Sequence, residues 1–180
     1  MKKFFYLFFV LFSLQGFAQK YITKTGVVEF EASVPSFEEV KAKNSSVTAI
    51  LNTENGEFAA LVLVKGFRFK NALMEEHFNE NYAESDQYPK ATFKGTITGF
   101  DRTKMSDQSV YNINGSLTFH GQTESLSNVK VKLNRKGNSF EMSGDFKTQA
   151  SKYGIDIPKI VSEKIAEDIK VSFIFNLEVN

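Results

Sequence analysis

Gly66-Phe67-Arg68-Phe69-Lys70 opens the stretch that decides the fold, which continues through Asn71-Ala72-Leu73-Met74-Glu75-Glu76-His77-Phe78-Asn79-Glu80-Asn81-Tyr82 and Tyr88-Pro89 to Gly121. In its middle, Leu73, Met74, His77, Phe78 and Tyr82 recur at i, i+3, i+4 spacing with acids and amides opposite, which predicts a short amphipathic helix. The period then changes. In Ala91-Thr92-Phe93-Lys94-Gly95-Thr96-Ile97, Phe93, Gly95 and Ile97 share one face while Thr92, Lys94 and Thr96 take the other, as in a half-buried strand. Ile113-Asn114-Gly115-Ser116-Leu117-Thr118-Phe119-His120-Gly121 repeats the alternation and ends in a glycine turn. One helix interrupting a run of strands is the pattern of a barrel or sandwich.

Outward from that stretch, strands dominate. Val28, Phe30 and Ala32 face inward before Pro35 ends the first strand, and Ser36 to Asn44 reads as strand or loop. Ser46 to Thr53 and Glu57 to Val64 flank Glu54-Asn55-Gly56, a link of hairpin length with glycine where a left-handed backbone is wanted. The Glu57 to Val64 strand is apolar on both faces, so its outer face calls for cover by the helix or by a second subunit. Asp101 to Gln108 reads as a polar turn. Val129, Val131 and Leu133 form the next inward row, and Phe140, Met142, Gly144 and Phe146 another. Pro158 to Ala166 predicts a short helix with Ile160, Val161 and Ile165 on its apolar side, and the last strand aligns Val171, Phe173, Phe175, Leu177 and Val179. About eight strands joined mostly by short turns favour an antiparallel up-and-down barrel over a Greek-key sandwich.

The first 18 residues read as a targeting segment. Lys2 and Lys3 precede an apolar run from Phe4 to Leu14, and Gly16-Phe17-Ala18 supplies small residues for cleavage after Ala18. The run is shorter than the roughly 20 residues a bilayer span needs, and without cysteine there is no site for a lipid-modified anchor. A periplasmic or secreted protein is therefore expected, with residues 19–180 as its single domain and no stable membrane anchor. Cleavage leaves 162 residues and turns the formal charge from +1 to −1, which gives no electrostatic case for nucleic acid. With no disulfides available, burial has to stabilise the fold.

Several of these segments carry a resemblance. His77-Phe78, Tyr88-Pro89-Lys90-Ala91-Thr92-Phe93-Lys94-Gly95, Gly115-Ser116-Leu117-Thr118-Phe119-His120-Gly121-Gln122-Thr123 and Lys152-Tyr153-Gly154-Ile155 occur in the order seen in the YceI-like family, lipocalin-like polyisoprenoid-binding periplasmic proteins. The chain departs from that family where an Arg-Asp-x-His-Leu segment often opens the helix and Asn71-Ala72-Leu73-Met74-Glu75-Glu76-His77-Phe78 stands instead. The resemblance implies a lipocalin-like eight-stranded barrel. It also implies an isoprenoid lipid, such as a quinone or polyprenyl phosphate, held inside it for transport or storage.

The dimensions of such a barrel suit that ligand. An eight-stranded barrel is either filled by side chains or holds one small molecule. A last strand of about 12 residues, tilted by about 40°, spans roughly 30 Å of height. Each buried methylene of a tail contributes about 0.8 kcal/mol, so greasy contact alone can hold a prenyl chain. The candidate lining is Phe67, Phe69, Met74, Phe78, Phe93, Leu117, Phe119, Phe146 and Phe173, with small Ala60, Gly95 and Gly144 leaving room. No cofactor and no metal are expected, because His77 and His120 stand alone without Cys or carboxylates at ligand spacing apart from Glu75 and Glu76. No nucleophile elbow or phosphate-binding glycine loop occurs, which argues against an enzyme. The alternative is a structural or interaction barrel with a filled core, a homodimer through the Phe58 to Val64 strand and the helix.

Overall fold

The computed structural model describes residues 20–35, 37–101 and 108–179. The expected leader and most of the polar turn after Asp101 lie outside these residues.

The strands are β1 (Lys20–Ser33), β2 (Lys41–Asn52), β3 (Glu57–Leu63), β4 (Arg68–Phe69), β5 (Lys90–Ile97), β6 (Gln108–Phe119), β7 (Gln122–Lys136), β8 (Ser139–Gln149) and β9 (Ile165–Val179). Eight of them pair antiparallel with their chain neighbours, and β9 returns to β1 to close an up-and-down barrel of the lipocalin-like kind. The two-residue β4 is an addition. It pairs with Ala42 and Lys43 of β2 beyond the stretch that β3 covers.

Tight turns set the register. His120 and Gly121 form a two-residue loop between Phe119 and Gln122, both with positive φ (50° and 74°). That pairing of left-handed residues matches the strand twist and fixes β6 against β7. Within β7, Asn128 also takes a positive φ, and its N–H donates to Asn114 Oδ1 at 2.7 Å where the ladder slips between Ile113 and Gly115. The bulge keeps Leu126 and Val129 both facing the interior despite their odd spacing.

The barrel is filled at one end only. Near the β2–β3, β7–β8 and β5–β6 connections, Leu51, Ile97, Ile113, Leu133, Met142 and Leu177 are fully buried, and Tyr21 meets Phe140 edge-on at 4.7 Å. The opposite end carries α1 (Ala72–His77), a π-helical turn at Phe78–Tyr82, a 3-10 turn at Ala150–Tyr153 and α2 (Lys159–Ser162). Asn71 caps α1 by accepting from Leu73 N–H at 2.9 Å and donates to Glu38 at 3.1 Å. Glu75 ties the helix down, accepting from Arg68 at 3.0 Å and from Phe69 N–H at 3.1 Å.

Three expectations need correction. The helix runs for six residues before widening to a π-turn, and Leu73, near its start, is 56% exposed rather than on the apolar side. The second helix is four residues long, too short to have a face, so Ile160 is 86% exposed while Val161 and Ile165 turn inward. The outer face of β3 is not covered by α1, since the helix is fastened to β4 and Leu63 stays half exposed. The segment read as strand or loop is, from Phe37, loop up to Val40 and strand from Lys41.

Phenylalanine rings lie on glycine. A β-carbon at Gly144 would stand 2.7 Å from Phe173 Cζ and 2.6 Å from the Lys130 carbonyl, and one at Gly115 would stand 2.6 Å from Phe93 Cζ. Gly26 likewise receives Phe175. Each ring occupies the space a side chain would have taken, flat against the wall. Because the Lys130 carbonyl is backbone and cannot yield, Gly144→Ala is expected to cost about 1–3 kcal/mol in urea unfolding with an unchanged m-value. A variant as stable as the parent would contradict the packing described.

Candidate ligand-binding cavity

The glycine-seated rings and the small residues Ala60 and Ala91 leave a cavity of about 410 Å³ in the helical half of the barrel. That volume falls within the few hundred to a thousand cubic ångströms usual for small-molecule sites. Its floor is Phe58, Ile113, Met142 and Phe175, below which the packed end begins. The space therefore does not run the full barrel height. On β9 it reaches from Ile165 to Phe175, about 25 Å of barrel height for a strand tilted by about 40°.

All nine residues expected at the lining do face this cavity: Phe67, Phe69, Met74, Phe78, Phe93, Leu117, Phe119, Phe146 and Phe173. Met74 lines it from α1, and the other eight come from two walls. Phe67, Phe69 and Phe78 join Phe30 in a four-ring cluster with centroids 5.1–5.9 Å apart, which locks the π-turn to β1 and β4. Such ring pairs add about 0.5–1.5 kcal/mol each beyond their burial. Phe93, Leu117, Phe119, Phe146 and Phe173 form the strand wall across the lumen.

The roof lies outside the lining expected from the sequence. Tyr153, Ile155, Ile157, Val161 and Ile165, which follow β8, also face the cavity. Ile155 and Ile157 lie in irregular chain, and Tyr153, Val161 and Ile165 lie in short turns or at a strand end, where no period betrays their direction. The signals available were the Lys152-Tyr153-Gly154-Ile155 motif and the apolar pair Val161 and Ile165. Exposed Phe37, Glu38, His77 and Lys164 belong to the lining too, and so mark where the cavity reaches the surface.

His120 holds the roof to the barrel. Its Nδ1 donates to the Tyr153 carbonyl at 2.9 Å, its Nε2 lies 2.7 Å from Glu84 Oε2, and the Tyr88 ring meets it edge-on at 4.4 Å. One imidazole thus joins the β6–β7 turn, the loop after the π-turn and the 3-10 turn. With both nitrogens engaged and His77 exposed on α1, the two histidines do not converge on a metal site. Among the described residues, no three His, Cys, Asp or Glu side chains come together. Nor is any helix among them long and apolar enough to cross a membrane.

A model of the YceI-like domain matches residues 20–177. The chain belongs to the YceI-like family. Solved structures resemble this YceI-like barrel at low identity. A polyisoprenoid binding domain from Saccharophagus degradans implicated in plant cell wall breakdown superposes with a TM-score of 0.76 at 12% identity, covering 91% of this chain and 99% of that one. Burkholderia cenocepacia BcnA gives 0.70 at 16% identity over 86% and 96% of the two chains, and a Campylobacter jejuni YCEI protein gives 0.58 at 13% over 79% and 88%. At these identities the likeness is one of fold. Comparison with curated proteins returns no match.

In this YceI-like barrel the phenol of Tyr153 is buried, and that burial pushes its pKa up; a hydrogen bond from Thr148 pulls the other way, and the Glu124 charge adds to the rise. A raised folded-state value stabilises the fold fully below the unfolded pKa of about 10 and loses that contribution as pH climbs through the folded value. Urea unfolding followed from neutral to strongly alkaline pH is expected to show a steeper loss above about pH 10 for the parent than for Tyr153→Phe. Parallel curves for the two proteins would contradict it.

Proposed function

We propose that this protein binds an isoprenoid lipid, a polyprenyl chain, quinone or polyprenyl phosphate, inside the helical half of the barrel and carries or stores it in the periplasm. The observation that carries the reading is the apolar cavity of about 410 Å³, bounded by phenylalanine, leucine and methionine side chains and open beside α1 and α2. A ligand held this way needs no polar constellation, since each methylene it buries adds about 0.8 kcal/mol. The description of the Saccharophagus degradans neighbour as a polyisoprenoid binding domain supports the same ligand class. The leader-like first 18 residues support export. Binding rather than catalysis is the role that the family and the apolar lining favour. The alternative of a barrel with a filled core accounts for the packed end, while the cavity supports the ligand reading.

Native mass spectrometry and organic extraction of protein purified from its own periplasm test the proposal. A bound isoprenoid mass is the expected result, and recovery of the protein with no lipid, or with straight-chain lipid alone, would overturn it. A cavity-filling variant gives a second check. Ala60 pairs with Phe93 across β3 and β5 and faces the lumen, so Ala60→Phe displaces several methylenes of a bound tail. At about 0.8 kcal/mol each, that is expected to weaken lipid uptake about tenfold or more while circular dichroism stays that of the parent. Undiminished uptake would place the ligand elsewhere.

A further inference from the structure

The cavity wall contains one polar pair well inside the rim. Tyr153 is 2% exposed and Thr148 8% exposed, and both line the lumen. The other polar lining groups stand differently. Glu38, His77 and Lys164 are exposed, Tyr82 is half-buried at the π-turn, and the Gln149 amide donates outward to Asp168 at 3.1 Å. A phenol offers one proton and accepts through its oxygen. Thr148 Oγ1 donates to the Tyr153 hydroxyl across 3.4 Å, which uses the accepting side, and the phenol's own proton meets no acceptor among the described residues. Leaving a buried donor unmatched is costly, so native structures supply a partner.

The side chain is also held still. His120 grips the Tyr153 carbonyl, Phe119 meets the ring edge-on at 5.7 Å, and Gly154 ends the turn at a left-handed φ of 68°. A fixed donor in an apolar wall is the usual way a greasy site reads orientation.

Resting on the lipid-binding reading above, we propose that the Tyr153 hydroxyl donates a hydrogen bond to an uncharged oxygen at the polar end of the bound isoprenoid, a carbonyl of the quinone type. The polar end then lies under the roof and the tail points to the floor at Met142 and Phe175. A neutral oxygen suits the site better than a phosphate, because the Glu124 carboxylate is near enough to oppose ionisation of the phenol and Glu84 lies on the far side of His120. The Glu124 charge that acts on the phenol is negative, which disfavours a second anion at that point.

Uptake from liposomes of stated load tests this with three probes: a polyprenyl benzoquinone, squalene as the hydrocarbon without oxygen, and a polyprenyl phosphate. The parent protein is expected to prefer the quinone to both others. Tyr153→Phe is expected to weaken quinone uptake about threefold to tenfold and leave squalene unchanged, and Thr148→Val to act in the same direction by less. Equal losses for quinone and squalene, or no loss in either variant, would overturn the assignment, as would a parent that prefers the phosphate. If the parent takes up none of the three, the lipid-binding reading itself falls. If it takes up quinone and squalene alike, only the role of Tyr153 does.

Discussion

A phenylalanine ring can lie flat on the wall of a small barrel only where a neighbouring wall residue lacks a β-carbon. Phe93 over Gly95 and Gly115, Phe173 over Gly144, and Phe175 over Gly26 all use that allowance. Were those seats filled, the rings would stand up into the lumen, and an eight-stranded barrel has just enough interior for side chains to meet in the middle. The seats let the wall stay hydrophobic and thick enough to pack while the axis stays open. The binding capacity argued for this protein is a consequence of that one steric arrangement.

The division of the barrel into a solid end and an open end follows from which residues point in. Towards the hairpin connections the inward positions are Leu51, Ile97, Leu133, Met142 and Leu177, branched or flexible chains that interdigitate and leave no gap. Towards the helices the inward positions mix flat rings with Ala60 and Ala91, and the ends are bridged by loops rather than by strand side chains. The packed end supplies stability without disulfides. The open end is roofed by short helical turns held through a few polar contacts, notably Glu75 with Arg68 and His120 with Glu84 and the Tyr153 carbonyl. Stability and vacancy are thus assigned to opposite ends of one sheet.

Much of this is legible in the sequence because strands impose a period of two. Phe93, Gly95 and Ile97, or Phe140, Met142, Gly144 and Phe146, announce a shared face before any coordinates exist, and the family motifs fix their order. What the period cannot show is where it breaks. Asn128 takes a left-handed backbone that inserts an extra residue into β7 and shifts the inward set from Val129 to Leu126, an effect that an alternation of apolar and polar residues does not display. Helical period misleads for a different reason. Leu73 and Ile160 occupy apolar positions in elements of six and four residues, and elements so short take their exposure from the loops around them. The roof was the least visible part, since Tyr153, Ile155 and Ile157 reach the cavity from chain with no repeating geometry.

The central claim is that the vacancy above Met142 and Phe175 is where a prenyl chain lies. A crystal structure of the protein loaded with a polyprenyl lipid measures this directly. The account requires continuous ligand density between the Phe93 and Phe173 walls, ending at that floor. Density on the outer face of the barrel, or a lumen closed by the rings of Phe93 and Phe173 turned inward, would contradict it.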